Sequence, residues 1–124
     1  MIVDTSILLG VFFAEPDGEW AVGQLEEHAP ALRMSTVNLA EVLILLEDRQ
    51  PQLFEELAER ILSSGIRFVP PDVEQARIAA RARLRYPLNL GDCFAYALAK
   101  VEDCPVLTLD KDFRATDVPV VLPH

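Results

Sequence analysis

Four acidic residues occupy positions from which folding would bring their carboxylates together. They lie at the ends of apolar runs or within one: Asp4 after M-I-V, Asp110 after P-V-L-T-L, Asp92 in L-N-L-G-D-C-F-A-Y-A-L-A-K and Glu41 in V-N-L-A-E-V-L-I-L-L. Carboxylates that lie close together repel unless a cation neutralises them, and oxygen ligands suit Mg²⁺ or Mn²⁺. Such a site activates water and stabilises the charge that develops in phosphodiester hydrolysis. The four acids therefore predict a metal site for that chemistry.

Each of these positions also has a purely structural explanation. Asp92 at the start of a helix can act as its N-cap, and an Asp that ends a strand is a common turn residue. Glu41 is more telling, because an unpaired charge on an apolar helix face is expensive to bury. Thr5 and Ser6, beside Asp4, are suited either to holding a metal-bound water or a phosphate oxygen, or to capping the first helix. The sequence leaves both interpretations open.

The composition excludes several other kinds of chemistry. The chain has 124 residues, 51% apolar and 25% charged, which is ordinary for one globular domain. Its histidines are His28 and the last residue, and its cysteines, Cys93 and Cys104, lack metal-site spacing. The chain therefore has too few suitably placed histidines for a Ser-His-Asp triad, and too few histidines and cysteines for a zinc site. No apolar run approaches the roughly 20 residues of a membrane helix and no signal sequence is apparent, so we expect a cytoplasmic protein.

The net charge of −9 is unevenly distributed along the chain. Residues 15–74 carry thirteen acids and four bases, while four of the nine arginines lie in the short segment 77–85. Three of these arginines share a helix face at i, i+4, i+8 spacing, which suits either phosphate contact or pairing with the acidic helices. The basic side chains that we expect to contact substrate phosphates are Arg81 and Arg85 on this face, and Lys111 and Arg114 beside Asp110.

Hydrophobic periodicity and turn residues predict alternating strands and helices. The expected strands cover residues 1–4, 31–35, 66–69, 105–109 and about 119–122. The expected helices cover residues 6–13, 17–28, 36–48, 51–64, 72–86 and 88–100. This alternation predicts a parallel α/β sheet with helices on both faces, and in such sheets the site lies outside the carboxyl ends of the strands. The four acids map to that edge.

Four motifs are similar, in order, to those of PIN-domain ribonucleases: M-I-V-D-T-S, V-N-L-A-E-V, L-N-L-G-D-C-F-A-Y-A-L-A and T-L-D-K-D-F. The third motif most resembles the VapC toxins of bacterial type II toxin–antitoxin pairs. The resemblance implies one PIN domain over residues 1–124, a three-layer α/β/α sandwich around a parallel sheet of about five strands in the order 3-2-1-4-5. It also implies a Mg²⁺- or Mn²⁺-dependent endoribonuclease, frequent homodimers, and a VapB-like antitoxin in an apolar groove, which we expect among the helices of residues 17–64.

Carried over residue by residue, the resemblance makes Asp4, Glu41, Asp92 and Asp110 the catalytic and metal-binding acids. The D-K-D-F turn also offers Asp112, and family members differ in which acid of this turn faces the metal. A receiver-like phosphoacceptor signalling domain is an alternative from another class, since it also has acids at strand ends. It would need a paired acid near the first strand, where Asp4 stands alone, and it would leave Glu41 without a role. A DNA-directed nuclease on the same fold is a further alternative.

Overall fold

The centre of the computed structural model, which describes residues 1–124, is a five-stranded parallel sheet. Its strands are, in chain order, β1 (Ile2–Val3), β2 (Arg33–Ser35), β3 (Arg67–Val69), β4 (Val106–Leu107) and β5 (Val120–Val121). Their order across the sheet is β3-β2-β1-β4-β5, and every neighbouring pair is parallel. The predicted parallel α/β sheet and its strand order are confirmed, although each strand is shorter than the sequence predicts.

Six α-helices connect these strands: α1 (Thr5–Phe12), α2 (Gly18–His28), α3 (Thr36–Arg49), α4 (Phe54–Leu62), α5 (Val73–Arg85) and α6 (Leu90–Glu102). Short 3₁₀ helices occupy Pro51–Leu53 and Lys111–Ala115. The single helix predicted over 51–64 is therefore wrong in part, because its first turn is 3₁₀ and α4 ends three residues before Gly65, which has a φ of +89°. None of the six helices combines the length and the apolar character needed to cross a membrane.

The start of α6 differs from the sequence prediction. Asn89, not Asp92, is the N-cap: its Oδ1 accepts a hydrogen bond from the Asp92 N–H at 2.8 Å. Asp92 Oδ2 in turn accepts from the Asn89 N–H at 3.2 Å, which completes a capping box. The N-cap role predicted for Asp92 is therefore wrong, because the asparagine three residues earlier already satisfies that helix end. Asp92 instead lies in the first turn, where the helix dipole favours a negative charge.

Two hydrophobic clusters lie on opposite faces of the sheet. Because successive strand residues point to opposite faces, Ile2 and Val106 pack with α5 and α6, whereas Val3 and Leu107 pack with α1, α2, α3 and α4. All four of these strand side chains are fully buried. Burial on both faces explains why β1 and β4 appear in the sequence as continuous apolar runs that end in an acid.

Candidate active site

Asp4 follows β1 and caps α1 from a buried position. Its Oδ2 accepts hydrogen bonds from the hydroxyls of Ser6 and Thr108, each at 2.8 Å, and a longer one from the Ser6 backbone N–H at 3.4 Å. The residue is 1% exposed, and its Oδ1 has no hydrogen-bond partner. Burial raises the pKa of this carboxyl, although the two hydroxyls act in the opposite direction. A buried carboxylate oxygen with free lone pairs calls for a proton, a bound water or a cation.

Glu41 is held in place by Thr5 and Asn38. The Thr5 hydroxyl donates to Glu41 Oε1 at 2.7 Å, and Asn38 Nδ2 lies 3.2 Å from the same oxygen. The Asn38 amide nitrogen also lies 3.0 Å from both Thr5 Oγ1 and the Gly91 carbonyl oxygen, so it connects α1, α3 and α6. A Cβ at Gly91 would overlap the Glu41 carboxylate. The first turn of α6 therefore approaches Glu41 this closely only because residue 91 has no side chain.

Asn38 and Thr108 are candidate site residues that the sequence analysis missed. Asn38 is fully buried with an unpartnered Oδ1, and its position three residues before Glu41, on the same helix face, was the available signal. Thr108 is fully buried; its hydroxyl donates to Asp4 and accepts from the Asp110 N–H at 2.9 Å. No sequence signal distinguished Thr108, because a threonine within an apolar run is an ordinary strand residue.

Asp92 joins the acids from the first turn of α6. It is 7% exposed, and its pKa is raised to about 7, first by burial and then by the negative charge of Asp4. The charges of Asp110 and Glu41 raise the pKa further, whereas the hydrogen bond from Asn89 lowers it. The structure thus brings all four predicted acids together at the carboxyl edge of β1 and β4. We call these four residues the acid cluster.

The two acids of the D-K-D-F turn have different environments. Asp110 is partly buried and caps the second 3₁₀ helix, with its Oδ1 accepting from the Asp112 N–H at 2.9 Å. Asp112 is exposed, and the charges that raise the pKa values of Asp4 and Asp92 include Asp110 but not Asp112. The geometry therefore favours Asp110 as the fourth acid, which the sequence left open.

The hydroxyls of Thr5 and Ser6 bond the carboxylates of the acid cluster. Thr5 contacts Glu41, whereas Ser6 contacts Asp4 and also accepts from the Leu109 N–H at 2.9 Å. Capping of α1, one of the two roles predicted for them, is instead performed by the Asp4 side chain. Their hydroxyls orient the acids and link the chain after β1 to the chain after β4.

The predicted phosphate-binding residues fall into two groups. Lys111 and Arg114 are exposed on the 3₁₀ helix that Asp110 caps, beside the acid cluster. Arg81 and Arg85 are exposed on α5 and line a cavity that contains none of the four acids. The second pair is therefore not part of the acid cluster itself.

The donor set of the acid cluster fits a hard divalent cation. All its charged groups are carboxylates, and Asp4 Oδ1 is buried without a hydrogen-bond donor. No three acidic, histidine or cysteine side chains are close enough around one point in this conformation to hold a metal ion, and four unneutralised carboxylates near one another would repel. A cation would remove this repulsion and favour the ionised form of Asp92. Asp4, Glu41, Asp92 and Asp110 are the residues that would hold it.

The parallel sheet and its cluster of acids define the class of this protein. Residues 1–119 match the PIN domain, and the chain belongs to the PIN domain family. Ribonuclease VapC of Mycolicibacterium smegmatis is 38% identical to it, covering 98% of this chain and 99% of its own length. Ribonuclease VapC42 of Mycobacterium tuberculosis is 35% identical, covering 95% of this chain and 96% of its own. The chain is thus similar to VapC ribonucleases over nearly its whole length, as its motifs predict.

Solved structures with this fold include toxins and toxin–antitoxin complexes. VapC20 of Mycobacterium tuberculosis, described as a sarcin–ricin loop cleaving toxin, superimposes with a TM-score of 0.84 at 20% identity, covering 98% of each chain. A toxin–antitoxin complex from Klebsiella pneumoniae gives a TM-score of 0.76 at 25% identity, covering 99% of this chain and 97% of that one. These likenesses confirm the PIN fold and lend no support to the receiver-like alternative.

Proposed function

We propose that this protein is a Mg²⁺- or Mn²⁺-dependent endoribonuclease and the toxin of a VapBC-type toxin–antitoxin pair. The observation that carries the proposal is the acid cluster: four carboxylates from four separate segments meet at one sheet edge of a PIN domain. Burial and mutual repulsion raise the pKa values of Asp4 and Asp92, so this arrangement is costly without a cation. RNA is proposed as the substrate because the similar VapC proteins are ribonucleases.

The side chains of the cluster have distinct tasks in this proposal. Asp4, Glu41, Asp92 and Asp110 hold the cation, which when bound makes a water more acidic and offsets negative charge on the phosphate. Ser6 and Thr108 orient Asp4, while Thr5 and Asn38 orient Glu41. The first turn of α6 adds the partial positive charge of a helix N-terminus near the scissile phosphate. Lys111 and Arg114, exposed beside Asp110, contact neighbouring phosphates.

Replacing Asp92 by Asn tests the nuclease. Asn retains a carbonyl oxygen that accepts the Asn89 N–H, so the capping box persists while the negative charge is lost. With a structured RNA pool and Mg²⁺ or Mn²⁺, we expect cleavage to fall on the order of 10²-fold or more, as when a group that stabilises transition-state charge is removed. Asp112→Asn, at the exposed acid of the same region, is the matched control and should cut nearly as the wild type does.

Calorimetry with Mg²⁺ or Mn²⁺ gives an independent reading of the same variants. We expect heat of binding from the wild type and from Asp112→Asn, and much weaker binding by Asp92→Asn. Equal RNA cleavage by wild type and Asp92→Asn would contradict the role of Asp92. A wild-type protein that neither binds the metal ion nor cuts RNA would contradict the nuclease itself.

An apolar groove of about 270 Å³ supports the proposed VapB-like antitoxin as partner. It lies between α1, α2 and α4 and has a rim with both signs of charge, Glu26 and Arg60. Its apolar lining includes Leu8, Val11, Phe12, Leu25, Leu32, Ile61 and Ile66. A groove of this kind suits the apolar face of an amphipathic peptide helix. It overlaps the segment 17–64 where we expect the antitoxin to bind, and α1 contributes one wall in addition.

A further inference from the structure

A second cavity, of about 220 Å³, lies between α5 and α6. Arg81 and Arg85 line it from α5, with Tyr86 just after that helix. Tyr96 and Lys100 line it from α6, and Asp117 closes it from the loop before β5. No residue of the acid cluster contributes to this cavity, and its charge is opposite in sign to that of the cluster.

The arginines of this cavity have no carboxylate partner. The ion pairs of the structure involve Arg33, Arg60 and Arg67 among the arginines, but neither Arg81 nor Arg85. This result contradicts the alternative in which the arginine face of α5 pairs with the acidic helices. In a chain with a net charge of −9, two adjacent guanidinium groups left without an acid attract an external anion.

The one acid of the cavity is already engaged on both of its oxygens. Asp117 Oδ1 accepts from the Tyr96 hydroxyl at 2.6 Å, and Lys100 Nζ lies 3.1 Å from Oδ2. Asp117 is therefore engaged by two residues of α6. Its pairing with Lys100 leaves the positive charges of Arg81 and Arg85 unopposed.

Aromatic walls accompany these positive charges. The rings of Tyr86 and Tyr96 are tilted at 60° with their centroids 5.5 Å apart, and the Tyr96 hydroxyl is fixed by its hydrogen bond to Asp117. Guanidinium groups match phosphate oxygens bidentately, and an aromatic face accepts a base or a sugar by stacking. Tyr96 is only 5% exposed and packs in the core, so the ring available for such a contact is that of the half-buried Tyr86. Beside the two arginines, this ring favours a nucleotide over a bare inorganic anion.

The cavity begins one helical turn from the acid cluster. Tyr96 follows Asp92 by four residues in α6, so the two share a helix face and are separated by about 6 Å along its axis. On the other side, the chain after Arg85 and Tyr86 leads directly to Asn89, which caps α6. Tyr86 and Tyr96 therefore lie on either side, along the chain, of the first turn of α6, which carries Asp92.

We infer that the cavity between α5 and α6 binds a backbone phosphate of the RNA substrate beside the cleavage site. Arg81 and Arg85 hydrogen-bond to the phosphate oxygens, and Tyr86 packs against the sugar or base of the same nucleotide. This inference rests on the proposed ribonuclease function, and it adds a subsite that binds substrate without touching the reacting phosphate. The subsite stabilises the bound substrate and the transition state equally, so its loss changes KM and leaves kcat nearly unchanged.

Single and double replacements of the cavity arginines test this subsite, with Arg83→Gln as the matched control. Arg83 is exposed on the same helix and carries the same charge, but it does not line the cavity. For metal-dependent cleavage of a short single-stranded RNA, we expect Arg81→Gln/Arg85→Gln to raise KM about tenfold or more, the scale of a lost charge-assisted contact, with kcat within about twofold. Arg83→Gln should keep both constants.

The salt dependence of RNA binding provides a second measurement, made in the inactive Asp92→Asn background. Losing one phosphate contact should reduce the slope of log affinity against log salt by about 0.7 for Arg81→Gln/Arg85→Gln. Unchanged KM and slope in an active enzyme would overturn the subsite and leave the ribonuclease standing. Equal effects from Arg83→Gln would also overturn it, because they would indicate general attraction. A wild type that neither binds nor cuts RNA would overturn both proposals.

Discussion

The carboxylates of the acid cluster depend on uncharged neighbours for their positions. Asp4 is held by the hydroxyls of Ser6 and Thr108, and Glu41 by Thr5 and Asn38. These groups donate hydrogen bonds to one carboxylate oxygen and leave another available, as for Asp4 Oδ1. Such supporting contacts fix the direction of metal-binding side chains and contribute to their affinity.

Replacing Asn38 by Ala removes the amide that connects Glu41, Thr5 and Gly91. We expect apparent affinity for Mg²⁺ or Mn²⁺ to fall about 10- to 100-fold, the range for a lost supporting contact, measured by metal titration of cleavage and by calorimetry. Val42→Ala is the control, since Val42 is buried on the same helix but its side chain cannot form a hydrogen bond to Glu41. Both variants lose stability, so equal loss of metal affinity in the two would contradict a positioning role for Asn38.

The titration of Asp92 should make the metal-free protein less stable as pH rises. Its pKa is raised from 3.8 to about 7 in the folded protein, so the folded state holds the proton more tightly than the unfolded chain does. The contribution of Asp92 to the free energy of unfolding is therefore complete at low pH and is lost as pH rises between these two values. We expect the Tm of metal-free protein to fall from pH 5 to pH 8, and Asp92→Asn to reduce that fall. An identical Tm profile for both proteins would show that Asp92 does not titrate in this range.

At the scale of elements, the site depends on how closely α6 approaches α3. Gly91 lies in the first turn of α6, where an added Cβ would overlap the Glu41 carboxylate. The same turn offers its carbonyl oxygen to Asn38 at 3.0 Å. The helix start is therefore shaped by two constraints: the Asn89 capping box sets its direction, and the absence of a side chain at position 91 sets its distance from Glu41.

Gly91→Ala should displace Glu41 while the helix is retained. Alanine favours the helix, so the loss arises at the site, and we expect cleavage to fall about tenfold or more, as for a misplaced catalytic group. In the control Gly23→Ala, on exposed α2, an added Cβ meets no atom within 4 Å. That control should keep full activity and gain up to about 1 kcal/mol of stability. Wild-type cleavage rates in Gly91→Ala would show that Glu41 tolerates displacement.

At the scale of the whole molecule, the charge and the apolar surface are divided between faces. The groove between α1, α2 and α4 is apolar, the acid cluster is negative, and the cavity between α5 and α6 is positive. In the proposed function these three surfaces bind an antitoxin helix, a cation and a substrate phosphate respectively. In this proposal the overall charge of −9 does not oppose RNA binding, because the positive charge assigned to RNA contact is local.

A charged side chain introduced into the groove between α1, α2 and α4 should weaken inhibition by the antitoxin without affecting RNA cleavage. Leu25 lines the groove, and Leu25→Glu would bury a carboxylate against the apolar face of a VapB-like antitoxin. We expect affinity for that antitoxin to fall at least about 30-fold, as for a central interface residue, with metal-dependent RNA cleavage retained. Val22→Glu on the same helix, exposed and outside the groove, is the control. Inhibition of Leu25→Glu at wild-type antitoxin concentrations would exclude this groove.

The sequence by itself determined the sheet, its layers and the edge at which the acids meet. Apolar runs that end in Asp4 and Asp110 predict buried parallel strands, and parallel strands bring their carboxyl ends to one edge. Glu41 was identifiable because a charge interrupts an apolar helix face. These inferences succeed because they depend on periodicity and chain direction, which are local properties of the sequence.

Only the tertiary structure shows which side chains hydrogen-bond to those acids and which acid of the D-K-D-F turn lies partly buried. Asn38 contacts Gly91 across 53 residues, and Thr108 contacts Asp4 across 104, so no local pattern marks either contact. Asp110 is partly buried and caps the 3₁₀ helix, whereas Asp112, two residues further on, is exposed. The cavity beside Arg81 likewise exists only because α5 packs on α6. Contacts between distant segments depend on packing distances, which periodicity does not specify.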